Sequence, residues 1–431
     1  MTGGAEGLLP TMVSQAVPLV LAAVAGVFLA RCLHPEGRGV YATVTTTAGI
    51  AIVLGHLSVG RSQIALWPVL DRHRSLVANA AILGLLLGLA SAALTFGAVT
   101  ALDLSPAPAL MATALLAVPF GVAAFNLKGV ALLQGRVGLA NRSVVTAAVV
   151  LYVPVLCLAV TGTLTLPAVV ACWTVSTVLP FALFVRPLGL PTRGEAALAR
   201  RQLAMSGRYH PGTVAFHLLL TLDVLLLAAL VTPAETGLYT VATSWLSLSR
   251  VPTDALAQIT LSHQAVRDEC DARSATARAI RINLMLSSVA VGALACASPL
   301  LVPLLYGSAF SASLAPLLAL VPGTVAWSLL RPAEQYLVRL GRPMTMTALA
   351  VGALAANLGL NGVLMPLWGA VGAAVASTTC YSAMAVAEVG WFARVAGLPA
   401  VDLLPRFRDL RWVLSELRPC GRAGDSVVAD R

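Results

Sequence analysis

Three ionisable residues stand inside long apolar runs, where a charge is costly to bury. Asp223 lies within 209–231, and Arg250 and Asp254 lie within 238–262. Arg250 and Asp254 are one helical turn apart and so share a face. At the rise of an α-helix, Asp223 is ~12 Å from the outer end of its run and Arg250 ~18 Å from the outer end of the next. In consecutive antiparallel helices those depths bring the two side chains within reach of each other. Two roles follow, and they are compatible. As the wall of a central cavity, Arg250 would meet a phosphate and either carboxylate would hold a cation. As an ion pair, the same residues would only pack the helices. Pro252 disturbs the helix beside Arg250, and broken helices inside a membrane occur where they line a cavity.

Other polar groups are weaker candidates. Arg31 ends the first apolar run near the outer face, as a topology anchor or as part of a cavity. Gln15, Asn126, Asn357 and Asn361 suit interhelical hydrogen bonds; Gln15 is kept with Arg31, Asp223, Arg250 and Asp254 as a cavity candidate. His56 and His217 fit buried, neutral, hydrogen-bonded histidines better than a proton relay. Glu334 and Glu388, near the cytoplasmic ends of their runs, are expected to reach interfacial water. No HExxH, P-loop or GxSxG string occurs, and the seven cysteines form no CxxC or Cys/His cluster. No catalytic residue, metal or cofactor is expected. The longest cytoplasmic segment is too short for a nucleotide-binding domain, so energy must come from the substrate, an ion gradient or a partner.

The elements that must position these residues are apolar helices. The chain is 58% hydrophobic and 11% charged over 431 residues, against about 25% charged in a soluble domain. Runs long enough to cross a ~30 Å hydrocarbon layer fall at 11–31, 40–60, 75–100, 108–127, 143–162, 165–185, 209–231, 238–262, 282–305, 314–333, 344–364 and 368–391. The expected class is therefore an all-α polytopic membrane protein with twelve transmembrane helices.

The gaps alternate between poor and rich in Arg. Of the 28 Lys and Arg residues, 25 fall in or at the edge of every second gap or in the tail, among them Lys128, the only lysine. Basic loops stay in the cytoplasm, which places both termini there. The first run alone, with Arg31 and Arg38 behind it, argues for the opposite orientation and is outweighed. The net charge of +10 is spread over short loops, which fits anionic phospholipid headgroups and not nucleic acid. No Lys or Arg precedes the first apolar run, so a cleaved signal peptide is not expected.

The basic segment 186–208 divides the chain into an N-terminal lobe (1–208) and a C-terminal lobe (209–393), each of six helices. Beyond them runs a basic tail, 394–431, whose Phe407, Leu410, Leu414 and Leu417 have amphipathic spacing suited to lying on the inner leaflet. The lobes repeat one another. Gly39-Val40-Tyr41 opens the second span and Gly237-Leu238-Tyr239 the eighth, 198 positions later, with Thr45 matching Thr243. An even number of helices per lobe makes the repeat parallel, a pseudo-two-fold about the membrane normal.

Three strings carry a family resemblance. Arg31-Cys-Leu-His-Pro-Glu-Gly-Arg38-Gly39-Val-Tyr41 resembles the first outer loop of Wzx-type polysaccharide flippases, with His34 where glycine is usual. Asp223 followed by Gly237-Leu-Tyr239-x-x-Ala242 resembles the start of that family's second half. Asn357-x-x-x-Asn361-x-x-Leu364-x-Pro366-x-x-Gly369-Ala-Val-Gly372-Ala-Ala-x-Ala376-Ser377 is similar to its eleventh and twelfth helices. That family belongs to the MOP superfamily, with MATE-type exporters and the lipid II flippase. The resemblance implies two lobes around a central cavity, alternating access, and a location in the bacterial plasma membrane. It implies that a polyprenyl-pyrophosphate-linked oligosaccharide is moved from the inner to the outer leaflet for surface polysaccharide biosynthesis. A polysaccharide polymerase and glycosyltransferases would be its working partners. Two alternatives stay open: a cation-coupled MATE-like exporter using Asp223 or Asp254, and a membrane polymerase or ligase, against which the short outer loops count.

Overall fold

The computed structural model describes residues 8–70, 73–105, 107–189, 193–250, 253, 269–339, 343–406 and 409. Their α-helices are α1 Leu8–Gly55, α2 Val59–Leu66, α3 Arg74–Ala101, α4 Pro108–Leu115, α5 Val118–Leu133, α6 Val137–Val160 and α7 Leu166–Leu188. They continue as α8 Ala196–Ser206, α9 His210–Leu230, α10 Pro233–Ser247, α11 Glu269–Tyr306, α12 Leu314–Trp327, α13 Leu330–Arg339 and α14 Pro343–Ala396. Among the described residues, nine stretches are long and apolar enough to cross a membrane. This helical economy is what hydrocarbon imposes, since every backbone N–H and C=O must find a partner within its own segment.

Two of those stretches, Ala16–Val69 and Met344–Ala396, have 54 and 53 residues, enough for two crossings of a ~30 Å layer each. Both are interrupted near their middles, α1 at His34 (φ 56°, ψ 176°) and α14 at Gly369 (φ 55°, ψ −132°). The outer loops expected on either side of residue 35 and residue 366 are therefore kinks between helices. His34 holds a backbone conformation that a side chain disfavours, which is the physical reason glycine suits this position. Replacing His34 with glycine should raise thermal stability in detergent by about 1 kcal/mol; an unchanged or lower unfolding midpoint would contradict the strain.

The chain forms two compact units. One comprises Met1–Trp245, Ala295–Leu320 and Pro343–Cys380, the other Leu246–Leu294, Val321–Arg342 and Tyr381–Arg431. In the first unit, α3 packs on α5 and α1 on α6. Gly84 and Gly88, one turn apart on α3, lie directly against the backbones of Ala123 and Pro119 on α5, the small-residue packing that membrane helices use where hydrophobic exclusion is absent. The basic segment 186–208 contains α8. Asn79 fastens its start, donating to the Glu195 carbonyl and accepting from the Glu195 amide, both at 3.0 Å.

In the second unit, Arg281 clamps the chain beyond α14. Its guanidinium holds Asp409 through two hydrogen bonds of 2.7 and 3.0 Å and donates to the Asp402 carbonyl at 2.9 Å. The amphipathic segment 407–417 lies outside the described residues except for Asp409. Glu388 departs from expectation: it is 1% exposed and neither carboxylate oxygen has a hydrogen-bond partner. The reason is helix length, because α14 continues two turns beyond it to Ala396 and carries Glu388 away from the interface.

Candidate functional site

Asp223 is the centre of a buried polar cluster in the first unit. On α9 it follows Ala215 and Leu219 on one inward stripe, so the apolar periodicity that packs the helix also turns the carboxylate inward. Its Oδ2 accepts from the Tyr239 hydroxyl at 2.8 Å and from the Ser377 hydroxyl, and its Oδ1 accepts from the Asn361 amide at 2.7 Å. The Asn361 amide also donates to Asn357 Oδ1 at 2.9 Å. Asn357, Asn361 and Ser377 are fully buried. Asn357 and Asn361 share a face of α14 one turn apart, before the Gly369 break, and Ser377 follows after it. The kink thus lets two segments of one helix converge on a single carboxylate.

Donors on three sides make a buried carboxylate tolerable, since charge-assisted hydrogen bonds offset part of its lost hydration. The same atoms can do chemistry. Two carboxylate oxygens, two amide oxygens and two hydroxyl oxygens within one cluster form a hard-oxygen set suited to a small cation, and the carboxylate can take a proton in its place. Asn361 Oδ1 and Asn357 Nδ2 are buried without partners, so the cluster has unused capacity. The interhelical role expected for Asn361 is met. Tyr239 and Ser377 join the site from the structure alone, although both stand in the strings that carry the family resemblance.

The tyrosine reaches Asp223 because the helices either side of it meet closely. A Cβ on Gly39 would lie 1.7 Å from the Pro233 carbonyl oxygen, and one on Gly237 would lie 1.9 Å from that of Pro35. The contact is reciprocal: Pro35 and Pro233 are themselves 198 positions apart, like the glycines. Each repeat thus sets its glycine on the other's proline carbonyl, as a local two-fold axis requires. Glu235 closes the arrangement, accepting from the Ala370 amide at 2.8 Å at the α14 break.

The basic candidates separate. Arg31 spends its guanidinium on the last turn of α11, donating to the carbonyls of Leu304 and Leu305 at 2.6 Å each. A cation there satisfies orphan carbonyls and the helix dipole, so Arg31 acts as a clasp between segments. Arg250, in the second unit, follows the turn at Leu248–Ser249 that ends α10. A proline at 252 cannot bond the carbonyl four residues back, which puts the helix end one turn before Pro252. The Arg250 Nε is buried and has no hydrogen-bond partner. The depth argument paired Asp223 with an arginine; the carboxylate instead takes neutral donors. Asp254 and the side chain of Gln15 lie outside the described residues.

Two further cations enter from the structure. Lys128, taken for a loop residue, sits inside α5, which runs on to Leu133. Arg38, taken for an outer-loop residue, is half-buried with its Nε unpartnered, in electrostatic reach of Tyr41, Tyr152 and Tyr306. His56 is buried and accepts at Nδ1 from the Ser58 amide at 2.8 Å, with its ring stacked on Phe125. An accepting Nδ1 places any proton of a neutral ring on Nε2.

No protein-family model and no curated protein matches the chain. Solved structures do. A lipid II flippase, MurJ, in an inward closed conformation is similar over 96% of this chain and 93% of its own, with a TM-score of 0.71 and 11% identity. A multidrug resistance MATE family transporter of the MOP superfamily, in an inward-facing conformation, is similar over 90% of this chain and 98% of its own, with a TM-score of 0.66 and 15% identity. A MOP superfamily transporter from Pyrococcus furiosus matches over 90% and 94%, with a TM-score of 0.63 and 15% identity. The chain thus has the fold of MOP superfamily transporters, a multi-pass helical membrane fold.

Proposed function

We propose that this chain is a Wzx-type flippase that turns a polyprenyl-pyrophosphate-linked oligosaccharide from the inner to the outer leaflet by alternating access. The observation that carries the reading is the pair of arginines, Arg250 above all, whose Nε is buried without a hydrogen-bond partner among the described residues, inside a fold shared with a lipid II flippase. An anionic headgroup supplies what those cations lack. A pyrophosphate and its sugars cannot cross hydrocarbon unaided, because burying charge and unpaired hydroxyls costs too much. A polar cavity can hold the headgroup while the prenyl tail stays in the bilayer.

The working architecture is twelve crossings in two six-helix lobes, 1–208 and 209–393, with both termini and the tail 394–431 in the cytoplasm of a bacterial cell. Arg250, Asp254, Asp223, Arg31 and Gln15 are assigned to the cavity and its margins, and a polysaccharide polymerase and glycosyltransferases act on either side of the step. A reporter fused after Arg136 should be active only in its cytoplasmic form; a periplasmic signal there would invert the topology. The direct test reconstitutes the protein in vesicles holding a fluorescent lipid-linked oligosaccharide and measures its accessibility to an impermeant reagent. Accessibility no greater than in protein-free vesicles would reject the flippase.

The Asp223 cluster favours a second reading, cation-coupled export, and equally supplies a coupling site for the first. Asp223→Asn should reduce transport at least about tenfold, and any residual transport should ignore the Na⁺ or proton gradient. Normal gradient dependence in that variant would remove the cluster from coupling under both readings. The substrate that moves in the reconstituted system decides between exporter and flippase.

A further inference from the structure

We propose that a cavity inside the first unit, distinct from the Asp223 cluster, binds the phosphorylated end of a long prenyl chain, with the Lys128 ammonium receiving the phosphate. The prenyl part of this assignment rests on the flippase reading; the phosphate part stands on the cavity. The cavity measures about 660 Å³ and lies among α1, α5, α6 and α7, within the usual range of small-molecule sites. Its wall is mostly apolar, with Pro18, Leu19, Phe125 and Leu151 among its residues, and Lys128 is its single charge.

The serine and threonine hydroxyls in the wall are already committed. The hydroxyls of Ser143 and Ser176 donate to the carbonyls of Ala140 and Trp173 at 2.7 Å, and Thr177 donates to Trp173 at 2.9 Å. Lys128 makes no hydrogen bond or ion pair with a described residue. Lys128 is half-buried in this open-sided cavity, and an anion offsets part of the cost of keeping an ammonium among apolar side chains. One cation in an apolar wall matches one kind of ligand, an anionic head on a hydrocarbon body. Lysine, a compact point charge, suits a phosphate that must later leave better than the bidentate grip of arginine does. A second observation extends the site. Tyr152 lines the cavity and is also in electrostatic reach of Arg38, whose Nε is buried and unpartnered. A phosphate released from Lys128 therefore has a further cation ahead of it.

The test uses the full-length protein in detergent and native mass spectrometry, with undecaprenyl phosphate as probe. Undecaprenol, inorganic phosphate and phosphatidylglycerol serve as competitors. Lys128→Gln should weaken undecaprenyl phosphate binding about tenfold, as loss of a charge-assisted contact does, and Lys128→Arg should recover most of it. Undecaprenol should bind weakly and equally to all three proteins. Ala147→Trp, which fills the cavity without touching the charge, should lose the probe while keeping the parent's unfolding midpoint. Equal affinity in the parent and Lys128→Gln overturns the proposal. Displacement by inorganic phosphate alone at matched concentration also overturns it, as a free-anion site, and equal displacement by phosphatidylglycerol does so as general lipid contact. Binding that behaves as expected in a protein that flips nothing would reject the flippase reading and leave this site standing.

Discussion

Arg250→Ala is expected to insert and fold like the parent and to lose translocation of the lipid-linked oligosaccharide by about a hundredfold or more, the scale of removing a preorganised charge from an excluded site. The size of the effect follows from where the residue stands. Arg250 comes immediately after the turn at Leu248–Ser249 that ends α10, and its Nε is buried without a hydrogen-bond partner among the described residues. Its removal therefore deletes no hydrogen bond at Nε from the resting protein and should cost little stability. What it deletes is a charge available to a ligand. Arg250→Lys, which keeps the charge but loses the planar fork, should retain partial activity. Reconstituted vesicles separate the two quantities, with protein recovery reporting insertion and headgroup accessibility reporting flipping. Normal translocation by Arg250→Ala would remove Arg250 from the substrate path.

The second large effect is expected at the reciprocal glycine contact. With a Cβ on Gly39, the Pro233 carbonyl would lie 1.7 Å away, and the segments would have to part by roughly 1.5 Å to reach an ordinary carbon–oxygen separation. Neither atom belongs to a side chain that can rotate aside. Gly39→Ala and Gly237→Ala should each hold the contact open and stop alternation on the outer side, cutting transport at least tenfold, since packed interfaces switch between discrete arrangements and do not deform smoothly. Because both glycines serve one contact, the double variant should be little worse than either single one. Cysteine pairs placed between the α1 kink and the start of α10 should crosslink in the parent and lose that crosslink in the variants. Full transport with the crosslink retained would show that the helices absorb the methyl group elsewhere.

Much of the fold was legible because hydrocarbon leaves a chain few options. Apolar runs of about 20 residues must be helices, and the Arg-rich gaps report their ends. The repeat was legible from Gly39-Val40-Tyr41 and Gly237-Leu238-Tyr239, since close backbone approach leaves its mark as glycine. The helix ends were less so. The sequence placed Lys128 in a loop and Glu388 at an interface, because local hydropathy falls at a charge whether or not the helix goes on. In both cases the helix continues, carrying Glu388 into the interior and leaving Lys128 half-buried.

The candidate site was half visible. Asp223 stood out because a carboxylate in an apolar run is rare and costly. Its partners did not, since Asn361 and Ser377 are 138 and 154 positions away, and spacing along a chain says nothing about contacts across such distances. By itself the sequence determined the class of molecule, an all-helical multi-pass membrane protein, because that follows from transfer energies and periodicities that are local to a segment. Only the tertiary structure decided that Asp223 takes hydroxyls and an amide, that Pro35 and Pro233 receive each other's glycine, and that the only lysine faces a cavity. Those outcomes depend on how each helix is rotated about its axis, and that rotation is set by packing against segments distant in the chain.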